Sequence, residues 1–306
     1  MAKLKVKRRP STDGSTGIIL KFQLHSNKKV KKPEPLNLEV VPRGKPIGGS
    51  TTGWLITINN SSEIITLFNT ANGAEIQLPP LPLFLNEDVN IVHKAVLSSP
   101  PDSLLDDDYV VMIIYGNSKQ LACFKEGDET WILLEEAGNS YDDILSHEGA
   151  LYGVDEYGQV VRCQVDPYSW PPILDVVTDR WFFWGQKLNL AVIEGYVCIV
   201  IRFMEDGGLG RQTCHFKVGA LTDDRDKGVI ICGLSNWAIL LGRSHSVALP
   251  PNTVQGLKGN CIYFKDDDGS DVGGFRCFNM EDSMIHYPLQ SETEELLRIW
   301  KRKIVN

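Results

Sequence analysis

The residues with the most chemical potential are four acidic runs, Asp106–Asp108, Asp142-Asp143, Asp223-Asp224 and Asp266–Asp268. Clustered carboxylates could bind a hard cation or, as an opposed pair, hydrolyse a glycosidic bond. The cation reading fails on spacing, because a calcium loop of the helix-loop-helix type ending its turn at Gly269 would need an acidic residue at Phe264. Each run falls at an expected turn, where Asp and Gly are favoured for conformational reasons, so a solvated turn is the reading adopted. The six histidines, at 25, 93, 147, 215, 245 and 286, show no metal-ligand spacing. His215 lies in a strand pattern and reads as a structural histidine. The seven cysteines, at 123, 163, 198, 214, 232, 261 and 277, form no C-x-x-C pair, and most sit in apolar strand patterns as reduced, core-filling thiols. Gly207-Gly-Leu-Gly210 departs from the dinucleotide fingerprint, and Gly233-Leu-Ser-Asn-Trp237 lacks the last glycine of a nucleophile elbow. No catalytic residue, metal site or cofactor site is therefore assigned.

The elements that would position these residues are strands. Tyr141–Cys163 alternates at period two, with strands expected at Asp143–His147, Ala150–Val154 and Gln159–Val165 and breaks at Glu148-Gly149 and Asp155–Gly158. Three short strands cannot bury both their faces, so this meander has to stack on copies of itself. Five further groups fit the pattern: an incomplete one at Gly17–Leu24, then Trp54–Leu78, Ala95–Leu134, Leu188–Val218 and Ala238–Asn279. Groups of three or four strands every ~40–50 residues are the period of propeller blades. The expected fold is all-β, a single β-propeller of five or six irregular blades of three to four antiparallel strands. A short C-terminal α-helix is read from the capping box Ser291-Glu-Thr-Glu294, with Leu297 and Trp300 expected to pack on the body. The expected organisation is a basic leader over 1–17, the propeller over 18–290 and the helical tail over 291–306.

Charge narrows the partners. Residues 1–45 hold twelve Lys/Arg against three Asp/Glu, a balance of +9; the other 261 hold nineteen against thirty-six, a balance of −17. An acidic body repels phosphates, so no nucleic-acid partner is expected. No apolar run approaches the ~18–20 residues of a membrane span, and no membrane partner is expected. The basic start is followed by no apolar stretch of a secretory signal, so an intracellular location, cytoplasmic and/or nuclear, is expected. Three of the seven tryptophans, Trp170, Trp181 and Trp184, fall between the fourth and fifth groups. Exposed, they would form a protein-binding hot spot; buried, they would pack blade against blade. They are the candidate partner-binding residues.

Several stretches, in order, carry a family likeness: Gly53-Trp-Leu-Ile56, Leu67-Phe-Asn-Thr70, Ile76-Gln-Leu-Pro-Pro80, Lys94-Ala-Val-Leu-Ser98, Gly127-Asp-Glu-Thr-Trp131, Tyr141-Asp-Asp-Ile144, Leu151-Tyr-Gly-Val154 and Leu257-Lys-Gly-Asn-Cys-Ile-Tyr-Phe264. The set resembles the plant F-box-associated proteins with a KIB-type β-propeller, from about Phe22 to Pro288. The resemblance implies a non-enzymatic protein-recognition propeller, the substrate-receptor part of cullin ubiquitin ligases, whose N-terminal F-box docks on a Skp1-type adaptor. Met1–Gly17 is a basic, Ser/Gly/Thr-rich stretch without the helical pattern an F-box needs. The expectation is thus a propeller without an F-box, with the adaptor as partner only if an F-box lies upstream. The alternatives are a ligase-independent or decoy binding protein and a propeller hydrolase with carboxylates facing its channel.

Overall fold

A computed structural model describes residues 44–49, 53–59, 64–81, 91–101, 108–138, 140–165, 170–178, 186–207, 210–222, 229–242, 246–250, 253, 257–265, 274–288, 292–294 and 296–297. The chain divides into Met1–Glu39 and Val40–Asn306, and every described residue lies in the second unit. The described strands form four hydrogen-bonded sheets, and since the first, eight-stranded one joins two four-stranded meanders through a parallel pairing of their first strands, they make five blades among the described residues. The first holds β1 (Lys45–Gly49), β2 (Trp54–Ile58), β3 (Ile65–Asn69) and β4 (Glu75–Gln77); the second holds β5 (Val92–Leu97), β6 (Val110–Tyr115), β7 (Gln120–Lys125) and β8 (Ile132–Leu133). The third is β9 (Tyr141–His147), β10 (Ala150–Asp155), β11 (Val160–Gln164) and β12 (Leu174–Thr178). The fourth is β13 (Gln186–Ile193), β14 (Tyr196–Gly207), β15 (Gly210–Leu221) and β16 (Val229–Cys232). The fifth holds β17 (Ala238–Leu240), β18 (Val247–Leu249), β19 (Cys261–Phe264), β20 (Arg276–Asn279) and β21 (Met284–His286), in the order β18-β17-β19-β20-β21. Blades one to four are antiparallel meanders, and β1 also pairs with β5 in parallel.

Stacking follows from burial on both strand faces, since successive side chains point to opposite sides. In β6, Val111, Ile113 and Tyr115 join the core between blades one and two, while Val110, Met112 and Ile114 join the core between two and three. In β14, Val197, Ile199 and Ile201 face blade three, and Cys198 and Val200 face blade five. That is why these strands read as continuous apolar runs rather than alternating ones. The fifth blade places Ile262, Phe264 and Phe278 on blade four and Cys261, Tyr263 and Cys277 beside Leu296.

The meander at Tyr141–Gln164 pairs in the register its pattern implies, Val154 opposite Asp143 and Val160. Four strands go beyond the sequence reading. β1 reads as a turn because of Pro46, Gly48 and Gly49, yet it pairs with β5, and a Cβ on Gly48 would collide with the Ala95 carbonyl. β12 and β21 are edge strands with little alternation, and β16 follows a segment rich in charge. The helix also differs: Leu296 is fully buried, whereas Leu297 is exposed and Trp300 lies outside the described residues. The incomplete group at Gly17–Leu24 and the leader likewise lie outside them.

Candidate functional site

Asp142 and Asp143 correct the solvated-turn reading, for both lie within β9, and Asp143 is 1% exposed. A carboxylate buried this far requires a donor at each oxygen. Asp143 Oδ1 accepts from the buried Lys94 ammonium of β5 and from Ile144 N–H (2.8 Å), and Oδ2 accepts from Leu190 N–H of β13 (2.8 Å). Asp142 Oδ1 accepts from Lys119 Nζ (3.2 Å) and Oδ2 from Leu188 N–H (3.0 Å). Asp143 thereby ties the first strands of blades two, three and four, Asp142 joins the β6–β7 turn to β13, and all four carboxylate oxygens of the dipeptide are taken up. Asp108 pairs with Lys125 at 3.1 Å; Asp223-Asp224 and Asp266–Asp268 lie outside the described residues.

The other ionisable groups also serve the frame. His93 Nε2 donates to Gly116 O (2.9 Å). His215 stacks edge-on against Phe278 (5.0 Å) and near Phe203 (5.7 Å), and burial with the nearby Lys217 lowers its pKa. His286 Nε2 meets Asp282 Oδ2 at 2.8 Å, and Asp282 is held below the usual carboxylate range by Met284 N–H, with His286 adding to the effect. No group of three or more His, Cys, Asp or Glu among the described residues could hold a metal ion.

The stretches behind the family likeness meet at these seams. Lys94 and Asp143 belong to two of them, and Trp131 Nε1 donates across blades one and two to Pro79 O (2.9 Å), joining two more. Tyr141 OH donates to Ala137 O (2.7 Å), and its ring covers Gly153, where a Cβ would come within 2.9 Å of it. These residues hold blades together.

One end of blades three and four presents exposed apolar side chains. The β9–β10 turn (Glu148-Gly149) and the β13–β14 turn (Glu194-Gly195) lie together there, because His147 Nε2 donates to Gly195 O (2.9 Å). Both turns put a glutamate in the left-handed region, φ 47° and 54°, ahead of a glycine that adopts it freely, φ 74° and 84°. Left-handed backbone is uncommon for glutamate, and tight hairpins prefer Asn, Asp or Gly there. Tyr196 leaves the second turn 63% exposed, with Glu148 and Glu194 at the same rim. The β11–β12 loop reaches this end of blade three as well, since β9 and β11 run in the same direction. It carries Trp170, a cis Trp170–Pro171 bond and Ile173, 64% exposed.

Of the three candidate tryptophans, Trp170 is half-buried against the core between blades two and three, with Leu174 and Val165 beside it. Trp181 and Trp184 lie outside the described residues. Sequence reasoning passed over Tyr196 and Ile173; the repeated Glu-Gly turn at 148 and 194 was the signal that could have flagged Tyr196.

Residues 21–280 match the model of the KIB1-4 beta-propeller. A putative F-box protein of Arabidopsis thaliana is 23% identical over 265 residues, covering 84% of this chain and 71% of that protein. A second putative F-box protein of the same plant is 21% identical, covering 85% and 78%, and the F-box protein SKIP23 is 23% identical, covering 63% and 52%. Among solved structures, the Malassezia sympodialis allergen Mala s 1 overlaps 78% of this chain and 87% of its own at 9% identity, with a TM-score of 0.34. The model match covers most of the chain and all five blades down to β20: the chain belongs to the KIB1-4 beta-propeller family.

Proposed function

We propose that this propeller is a non-enzymatic protein-recognition module whose partner seats on the shared end of blades three and four. The observation that carries the reading is the shared end itself, where Tyr196 of blade four and Ile173 of blade three stand exposed and His147 ties the two turns together, with half-buried Trp170 at the same end of blade three. Aromatic side chains on a rigid frame supply large contact area at small entropic cost, which is what an interface hot spot needs. Of the acidic runs that could support hydrolysis, Asp142-Asp143 is engaged in fastening blades. Trp181 and Trp184 belong to the proposed contact set with Trp170. The kinship with F-box proteins supports a finer reading, substrate reception for a cullin ubiquitin ligase in the cytoplasm or nucleus, with a Skp1-type adaptor engaged through an F-box on the same polypeptide.

Comparative affinity capture from plant extract tests it, with wild-type protein beside Tyr196→Ala and Ile173→Ser. Proteins held by the wild type and lost from both variants support the rim; an identical set on all three sinks it. Expressing the chain with its upstream genomic sequence separates the ligase reading. Recovery of a Skp1-type adaptor supports it, and failure to recover one refutes that half alone.

A further inference from the structure

Blade three ends on β12, which among the described residues has a neighbouring strand on one side only, as do the outermost strands β4, β8, β16 and β21 of the other blades. A strand at a sheet edge leaves a row of N–H and C=O groups unpaired, and such a row is a template for another strand. The other edges are short: β4 has three residues, β8 two, β16 four and β21 three, whereas β12 has five. The β4 edge also exposes Glu75 and Gln77. Nothing comparable guards β12. It holds no Lys or Pro, and Ile173 and Val176 stand 64% and 44% exposed along it. Its one charge is Asp175, whose Oδ2 accepts from Arg162 of β11 (3.1 Å) while the side chain stays 34% exposed.

The edge is also held in place before anything binds. Leu174, Asp175 and Val176 stand opposite Cys163, Arg162 and Val161 of β11, and the register then skips Val177 before Thr178 meets Val160. That bulge ends the regular edge and leaves Ile173–Val176 for a further strand to run along. Leu174 packs on the core between blades two and three, and Val177 on the core between three and four. A strand fixed from both faces loses little freedom when it is paired.

We propose that β12 receives an extended basic segment of a partner protein as a fifth strand of blade three. The proposal rests on the protein-recognition reading and adds main-chain contact to it. In such strand addition the backbone hydrogen bonds supply affinity and the alternate side chains supply specificity. The added residue opposite Asp175 sits ~4.5–5.5 Å away, Cβ to Cβ, so a Lys or Arg there extends the Arg162–Asp175 pair into a ladder of alternating charge. The residue opposite Val176 is matched best by a β-branched side chain. Charge separates this occupant from a second copy of the chain. Residues 46–306 carry a balance of −17, so two bodies repel one another and a basic segment is drawn in.

The probe is a capped synthetic heptapeptide of alternating valine and threonine about a central arginine, titrated against the full chain by fluorescence anisotropy. Hydrogen–deuterium exchange at saturating peptide should slow over 174–178, a reading that needs no variant. No binding at millimolar peptide, or slowed exchange elsewhere but not there, overturns the proposal. The same peptide N-methylated at every amide should not bind, and equal binding of the two refutes main-chain recognition. A central glutamate should weaken binding at least ~tenfold, and equal affinity refutes the basic partner. Val176→Lys guards the edge and should weaken binding at least ~tenfold, while Met284→Lys, the same change on β21, should leave it within ~twofold. An unchanged affinity for the first variant, or an equal loss from both, removes the site from β12. Sedimentation tests the other occupant: a dimer that Val176→Lys dissolves assigns the edge to self-association and overturns the proposal. Capture on Tyr196→Ala reads the rim and the peptide titration reads the edge, so either reading can fail alone.

Discussion

Replacing Asp143 with Asn is the most informative perturbation of the frame, because it keeps the shape and removes the charge. Asp143 and Lys94 have side chains 1% and 6% exposed, so neither can turn to water when its partner is lost. The amide retains an oxygen for one of the two backbone donors, Ile144 N–H or Leu190 N–H, and presents an NH2 to the other. The Lys94 ammonium is left buried opposite a neutral group. Breaking a buried pair by neutralising one member costs about 3–5 kcal/mol, most of it the penalty of the orphaned charge. At ~2–4 °C per kcal/mol for a large domain, the thermal midpoint should fall by roughly 10 °C. Urea unfolding followed by tryptophan fluorescence should show the same loss as a lower midpoint. Adding Lys94→Met removes the orphan and fills its space with an apolar chain, so the double variant should regain ~1–2 kcal/mol over Asp143→Asn alone. An Asn variant within ~1 kcal/mol of wild type would refute the reasoning, as would a double variant whose losses simply add.

Gly48→Ala should destabilise by ~1–3 kcal/mol or more in urea titrations, since its Cβ would meet the Ala95 carbonyl; Gly49→Ala, whose nearest contact is Trp54 O at 3.3 Å, should cost visibly less. Tyr109, buried between blades one and two, has its hydroxyl pushed up to about 12 by burial and by Glu126. The folded state holds that proton more tightly than the unfolded chain does, so the stabilisation is complete below pH ~10 and is lost as pH rises from ~10 to 12. Tyr109→Phe should flatten that alkaline decline by roughly 2–3 kcal/mol, and an unchanged pH profile would count against it. Tyr196→Ala should leave the melting midpoint within about a degree while weakening partner binding by ~30-fold or more, read by titration calorimetry once a partner is captured.

The amino-acid sequence determined what is local. Alternation at Tyr141–Cys163 set three strands, and Gly149 and Gly158 set their turns, because a two-residue side-chain period and a glycine's freedom at positive φ act within a few residues. The repeat of such units, each too small to bury its own faces, made a stacked all-β fold the consistent outcome. Edge and irregular strands were the exceptions: β1 looks like a turn until β5 is placed against it, and β12 and β21 lack the continuous apolar run that two buried faces impose. Exposed Ile173 carries no mark in the chain that separates it from a core isoleucine, and Tyr196 carries only its place after the repeated Glu-Gly turn. Only the tertiary structure decided the meaning of Asp142-Asp143. In the chain they are turn formers beside other acidic runs; in the fold their acceptors are filled by Lys94, forty-nine residues away, and by Leu190, forty-seven away. A carboxylate's role depends on the donors and dielectric around it, and here both come from neighbouring blades that exist only once the stack has closed over β9.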